Sequence, residues 1–234
     1  MWLGTTTKGV QVKQGYSHIT MLVDRSGSMS RIATDAQGAV NKFVTDQQAV
    51  PGKATLLLVE FDASAGLADS ERSIPWYHVV HDGDINQAPA YQLHARGNTA
   101  LLDAIGRAIT ATGEQLAALA EEDRPEHVYF VTQTDGQENS SREFTGDTIR
   151  EMIKRQTDEF SWEFLFLGMG PDSFNQGHTL GFANVTKGAQ APASYAGTYD
   201  HASNTIAAHR AGAVHDLSAT NAEVDEEGTV TPAP

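Results

Sequence analysis

The feature that most restricts the fold is an alternation, repeated along most of the chain, of short apolar runs with longer segments that are apolar on one face only. His18–Val23, Thr55–Phe61, His127–Val131 and Trp162–Leu167 are short and largely apolar. Between them, apolar residues recur at helical spacing: Ile32, Ala36, Val40 and Phe43, then Leu101 or Leu102, Ile105, Ala108, Thr112, Leu116 and Leu119, then Ile149, Met152, Ile153 and Phe160. Pro51-Gly52 and Pro125 end the first two of these helices. Strands buried on both faces and separated by amphipathic helices call for a mostly parallel sheet, covered on both sides and joined by right-handed crossovers. Ile74–Val80 follows its neighbour after a short linker, which predicts an antiparallel strand near an edge. Residues 81–98, with Pro89, predict a polar connection holding at most a short helix. A short helix can start after Pro171, Phe182–Val185 predicts a weak sixth strand, and Tyr195, Tyr199, Ala202 and Ile206 mark the last helix. The expectation is an α/β, three-layer, Rossmann-like domain with a six-stranded, mostly parallel sheet and one antiparallel edge strand.

At 234 residues the chain suits one such domain. Residues 1–15 read as an N-terminal extension, in which Val10 and Val12 form an edge strand or a tether. The domain proper spans 16–212. From Val214 onward the periodicity disappears, and Asp216, Glu223, Asp225, Glu226 and Glu227 stand with no lysine or arginine, so 213–234 reads as a disordered acidic tail. A formal charge of -14 argues against nucleic acid or an anionic membrane as the main partner. The chain has no cysteine, which removes disulfides, thiolate metal sites and cysteine nucleophiles. It shows neither the apolar stretch of a secretory leader nor a run near the ~20 apolar residues that cross a bilayer, so a cytoplasmic location is expected.

The chemistry concentrates at Asp24-Arg25-Ser26-Gly27-Ser28-Met29-Ser30, where the first core strand ends. In an open parallel sheet, ligands bind beyond the carboxyl ends of the strands. A tight turn there can aim Asp24, Ser26 and Ser28 at one point, with Gly27 permitting the backbone course between the serines. A carboxylate with two hydroxyls is a hard oxygen set, suited to Mg²⁺, Mn²⁺ or Ca²⁺. Two further loops leave the same edge: Arg96-Gly97-Asn98-Thr99 before a helix, and Thr134-Asp135-Gly136 after a strand. Thr99 offers a hydroxyl and Asp135 a carboxylate. The candidate metal-binding residues are therefore Asp24, Ser26, Ser28, Thr99 and Asp135. The alternative is that the aspartates cap turns and the serines start a helix.

This combination resembles the metal-ion-dependent adhesion site of the von Willebrand factor A family. The family's Asp-x-Ser-x-Ser matches Asp24-Arg25-Ser26-Gly27-Ser28, its lone threonine matches Thr99 within Gly-Asn-Thr-Ala-Leu-Leu-Asp-Ala-Ile-Gly, and its distal aspartate matches Asp135. The resemblance spans roughly residues 15–210. Thr134–Ser141 and Trp162–Gly168 are similar to a bacterial and phage branch of the family. The resemblance implies a surface cation, Mg²⁺ first, with an open position that takes an Asp or Glu side chain of a protein partner.

Other residues carry weaker readings. Asp103 either orients a ligand or water or supplies favourable charge in the first turn of its helix. Asp62 stands near the site in topology or serves a turn. Arg25 and Met29 either touch a partner or are, respectively, solvated and packed over the next helix. His78, His81 and His94 follow no zinc spacing and read as loop residues. Trp76 and Tyr77 pack an edge strand or anchor an interface, and Trp162 and Phe164 belong to the core. The leading function is a cation-dependent protein-interaction module. The alternatives are an adaptor for a hexameric ATPase or stress-response system, which would supply no motor because the chain lacks Gly-x-x-x-x-Gly-Lys-Ser/Thr, and a structural component of a phage or surface assembly. No Ser-His-Asp order or acid pair marks an enzyme.

Overall fold

The computed structural model describes residues 12–64, 74–170, 173–215, 217 and 220–233. Val10, Pro171 and Asp216, which entered the sequence reading, lie outside these residues. The strands are β1 (Lys13–Asp24), β2 (Lys53–Ala63), β3 (Pro75–Asp84), β4 (Pro125–Thr134), β5 (Glu163–Met169), β6 (Asn184–Gly188), β7 (Ala222–Val224) and β8 (Val230–Pro232). They form one sheet in the order β3-β2-β1-β4-β5-β6-β7-β8. The pairs from β2 to β7 are parallel, while β3 and β8 run antiparallel to their neighbours.

Helices α1 (Ala33–Ala49) and α5 (Pro192–Arg210) cover one face; α2 (Leu101–Ala117), α3 (Gly146–Phe160) and α4 (Ser173–Thr179) cover the other. The period-2 alternation of β1 divides its side chains between the two layers. Ile19, Met21 and Val23 enter the core under α1 and α5, and Leu22 enters the core under α2. Trp162 and Phe164 are buried in that second core, as expected.

Two polar residues of β1 also face α2. His18 is buried, with Nδ1 2.9 Å from Thr55 Oγ1 and Nε2 3.1 Å from Thr20 Oγ1, and Thr20 in turn meets Thr112 Oγ1 at 2.7 Å. Burial holds the imidazole neutral and pushes its pKa down to about 4, against a smaller opposing effect of Asp82. The unfolded chain takes up this proton near pH 6.5 and the folded chain only near pH 4. The stability contributed by neutral His18 is therefore complete above pH 6.5 and lost as pH falls toward 4, by about 3 kcal/mol. Urea midpoints at pH 7 and pH 4.5 should show a smaller acid-side loss in His18→Gln than in the native protein. Equal losses would show that His18 is not the titrating group.

The sheet departs from expectation at its far edge, with eight strands where six were expected and antiparallel strands at both edges. The two added strands come from the segment read as a disordered tail. Alternation over Ala222-Glu223-Val224 buries Ala222 and Val224, but three residues are too few to stand out against the surrounding acid. Part of that acid is turn chemistry, since Asp225 Oδ1 accepts from the amides of Glu227 and Thr229. Asn221 Oδ1 accepts from Val185 N, and Leu217 is fully buried, so the segment is stapled to the domain. Among the described residues, no helix is long and apolar enough to cross a membrane.

The strand order places the site. From β1 the chain moves outward through β2 and β3, then returns to lay β4 on the opposite side of β1. Neighbouring strands whose continuations diverge open a crevice at their carboxyl ends. Asp24 ends β1 and Thr134 ends β4 at that crevice.

Candidate metal centre

Each loop at the crevice is shaped by a local cause. Ser26 and Gly27 leave β1 into a single 3₁₀ turn over Gly27–Arg31. The turn is held from the side by residues 96–98: Arg96 N donates to Arg25 O at 2.7 Å, and Gly27 N to Gly97 O at 2.9 Å. Asn98 N and O are both bonded to Ala63 at the end of β2. Gly97 takes φ +68°, and a Cβ there would lie 2.1 Å from Ala63 O, so only glycine lets these strands of loop lie so close. Thr99 follows directly, just before α2, with its amide donating to Asn139 Oδ1 and its carbonyl accepting from Asn139 N.

The five side chains named from the sequence come together here. Asp24 is fully buried; its Oδ1 accepts from Ser26 N at 2.7 Å and its Oδ2 from Thr134 Oγ1 at 2.6 Å. Ser26 Oγ and Ser28 Oγ are 3.0 Å apart, and Ser28 Oγ donates to Asp135 Oδ1 at 2.7 Å. Thr99 completes the group across Gly136. A Cβ on Gly136 would sit 3.3 Å from Thr99 Oγ1, a tight contact, and 3.6 Å from Ser28 Oγ, an ordinary one, so both hydroxyls lie against this glycine. The residue types at this point are two carboxylates and three hydroxyls.

Among the described residues, no basic side chain offsets the charge of the pair. Burial pushes the Asp24 carboxyl up to about 7, and the charge of Asp135 pushes in the same direction, against hydrogen bonds from Thr134 and Ser26. Burial also raises Asp135, opposed by Ser28. The contacts that favour the charged forms are hydroxyl and amide hydrogen bonds, with no basic side chain among them. Among the described residues, no group of three or more His, Cys, Asp or Glu side chains is placed to hold a metal ion. A cation at this crevice would rest on hydroxyls as much as on carboxylates.

The two residues considered as supports behind the site turn elsewhere. Asp103 is buried in the first turn of α2, but its carboxylate accepts the backbone amides of Arg142, Glu143 and Phe144 at 2.8–3.0 Å, fixing the loop after β4. Asp62 is fully buried, with Oδ2 2.8 Å from both Arg25 Nε and Arg96 Nε, so it braces the loop after β1 through Arg25 and through Arg96. Arg25 itself is buried, donating from Nη1 to Glu60 Oε1 at 2.8 Å, and does not reach outward. Met29 is also buried, its sulfur 3.7 Å from Gln133 Nε2 and 3.8 Å from the Tyr195 hydroxyl.

The sequence reading missed three contributors. Thr134 holds Asp24, and its position next to Asp135 at a strand end was the available signal. Glu138 accepts from the amides of Leu102, Ser140 and Ser141, which ties the Asp135 loop to the start of α2. Gln176 on α4, with its amide oriented to satisfy both partners, bridges Gly136 O and Glu138 N. Nothing in the local pattern around Gln176 announces this contact.

No protein-family model matches the chain, and no curated protein matches it. Solved structures do. A von Willebrand factor type A protein from Catenulispora acidiphila superposes with a TM-score of 0.52 at 17% identity, over 86% of this chain and 43% of that one. The pilus adhesin SpaC from Lactobacillus rhamnosus GG, in its open conformation, gives 0.54 at 16% identity, over 87% and 31%. Proximal thread matrix protein 1 from the mussel byssus, with a zinc-occupied MIDAS motif, gives 0.52 at 14% identity, over 83% and 46%. The chain spans less than half the length of each of these proteins. At these identities the likeness concerns the fold, and the fold of this chain is that of the von Willebrand factor A domain.

Proposed function

We propose that this chain is a divalent-cation-dependent protein-interaction module, in which Asp24, Ser26, Ser28, Thr99 and Asp135 hold Mg²⁺, or alternatively Mn²⁺ or Ca²⁺. The observation that carries the proposal is the hydrogen-bonded string Asp24–Ser26–Ser28–Asp135 at the β1/β4 crevice, with Thr99 facing it across Gly136. Two acids drawn together without a basic partner are stabilised by a cation, and hard oxygen donors suit a hard one. The ion, bound largely through hydroxyls and water, would keep net positive charge and accept an Asp or Glu side chain from a partner protein.

The chain's own residues prepare that encounter. Thr134 and the Ser26 amide fix the Asp24 carboxylate before any ligand arrives. Ser28 is exposed and stands at the mouth, while Glu138 and Asn139 hold the Asp135 and Thr99 loops against each other. Among the described residues, the hydrogen-bond partners of the Asp24 carboxylate are the Ser26 amide and the Thr134 hydroxyl, which suit holding a ligand oxygen in place. The zinc in the mussel protein's motif makes zinc a fourth ion to test.

Calorimetric titration of chelator-stripped protein with Mg²⁺, Mn²⁺, Ca²⁺ and Zn²⁺ tests the metal. Ser28→Ala should weaken the preferred ion at least about tenfold. Capture from lysate in that ion, repeated with chelator, tests the partner. A protein held equally in both conditions would reduce the ion to a structural part.

A further inference from the structure

Arg96 is one of 16 basic residues in a chain of formal charge -14, and it stands beside the candidate metal centre. Its backbone is part of the brace on the metal loop, one residue before Gly97 and three before Thr99. Its side chain runs to the end of β2. There Nε donates to the fully buried Asp62 Oδ2 at 2.8 Å, and the guanidinium carbon lies 4.8 Å from the centre of the Trp76 ring. Trp76 is held in turn by Arg25 at 4.2 Å and by stacking on His78 at 5.2 Å. The Arg96 side chain is nevertheless 54% exposed, and no described residue pairs with its two terminal nitrogens.

A guanidinium fixed through Nε and laid on an aromatic ring has lost most of its freedom before binding. Its terminal nitrogens then form a preorganised fork, matched to the two oxygens of a carboxylate. Phe61, next to Asp62, pairs with Asp24 across β1 and β2. The anchor of Arg96 is therefore about one strand spacing, roughly 5 Å, from the strand that carries Asp24.

Resting on the reading of Asp24–Asp135 as a cation site, we propose that Arg96 forms a second carboxylate subsite beside the metal. The partner segment then carries two acidic side chains a few residues apart, one for the ion and one for the Arg96 fork. The acidity of the chain sharpens this demand, since an acidic segment is repelled by the surface at large and attracted at these two points.

The test uses the full chain, isotope-labelled for NMR, in saturating Mg²⁺. The probes are acetylated, amidated peptides with two aspartates separated by one, two or three glycines, and matching peptides in which asparagine replaces one aspartate. Binding of Mg²⁺, Mn²⁺ and Ca²⁺ is measured first, without peptide. At the best spacing, the two-aspartate peptide should bind roughly five- to tenfold tighter than its single-aspartate counterpart, the increment of one charge-assisted pair. In Arg96→Gln that ratio should fall to about one, and in Arg96→Lys, which keeps charge but not the fork, to about two. A ratio near one in the native protein, or a full ratio retained in Arg96→Gln, overturns the proposal while the metal reading stands. Absence of binding of Mg²⁺, Mn²⁺ and Ca²⁺ alike overturns both. Heteronuclear spectra of each variant report whether it is folded, and the ratio between two probes on the same sample cancels any shared loss.

Discussion

Asp24→Asn is expected to stabilise the metal-free protein and to erase its response to Mg²⁺. In the metal-free chain the Asp24 carboxyl has a folded-state pKa of about 7 against an ordinary 3.8, because burial and Asp135 disfavour its charge. A raised folded pKa means that the folded state holds a proton which the unfolded state has released. The associated stability is present at low pH and is lost as pH rises from about 4 through about 7. Near pH 8 the ionised Asp24 costs roughly 2–4 kcal/mol by this linkage. Asparagine removes the charge and keeps the shape. Its oxygen can accept from Ser26 N, and its amide can donate to Thr134 Oγ1, whose own hydrogen can turn to Gly136 O, already 3.2 Å away. In the native protein, Mg²⁺ at a hundred times its dissociation constant should add about 2.7 kcal/mol. Chemical denaturation at pH 8, with chelator and with Mg²⁺, reads both effects. A variant less stable than native in chelator, or still stabilised by Mg²⁺, would contradict this account of Asp24.

The second large effect is expected at Gly97. Alanine there must take φ +68° and place its Cβ 2.1 Å from Ala63 O, a backbone atom that cannot yield without moving the end of β2. The left-handed conformation costs about 1–2 kcal/mol and the displacement more, so a loss of about 3 kcal/mol or greater is expected. The bonds most exposed to that shift are Arg96 N–Arg25 O, Gly27 N–Gly97 O and the pair between Asn98 and Ala63. Magnesium affinity should therefore fall with stability. Gly38→Ala is the control. Gly38 lies within α1 and a Cβ there meets nothing within 4 Å, so the same change should be neutral or stabilising by roughly 0.5–1 kcal/mol. Equal urea midpoints for the two variants would remove the argument from close approach.

What could be read from the sequence followed from periodicity and from chemistry carried on short spacings. The helical pattern of Leu101 to Leu116 and the apolar runs of β1, β2, β4 and β5 leave few arrangements besides a covered parallel sheet. The antiparallel β3 was legible from the brevity of its linker. Asp24, Ser26 and Ser28 were legible because one turn carries all three, and Thr99 and Asp135 because each stands at a strand end or helix start. The roles of Asp103 and Asp62 were not legible. Whether a buried carboxylate serves a site or a distant loop depends on amides 39–41 residues away, or on two arginines from separate loops. The fork at Arg96 was hidden for the same reason, since Trp76 and Asp62 reach it only through the register of β3 on β2. The last two strands were hidden by composition, because the acids that suggest disorder also make tight turns.

That hairpin bears on how readily the sheet can add a strand at its edge. A sheet ending at β6 or β7 would present a row of unpaired amides and carbonyls to any extended chain it met. β8 covers the edge of β7, and its own closing residue, Pro232, has no amide to offer an incoming strand. At the other margin, the register of β3 slips between its pairings with Leu58 and Val59, and such a bulge spoils a flat template. Among the described residues, each margin of the sheet thus carries a feature that disfavours the addition of a further strand.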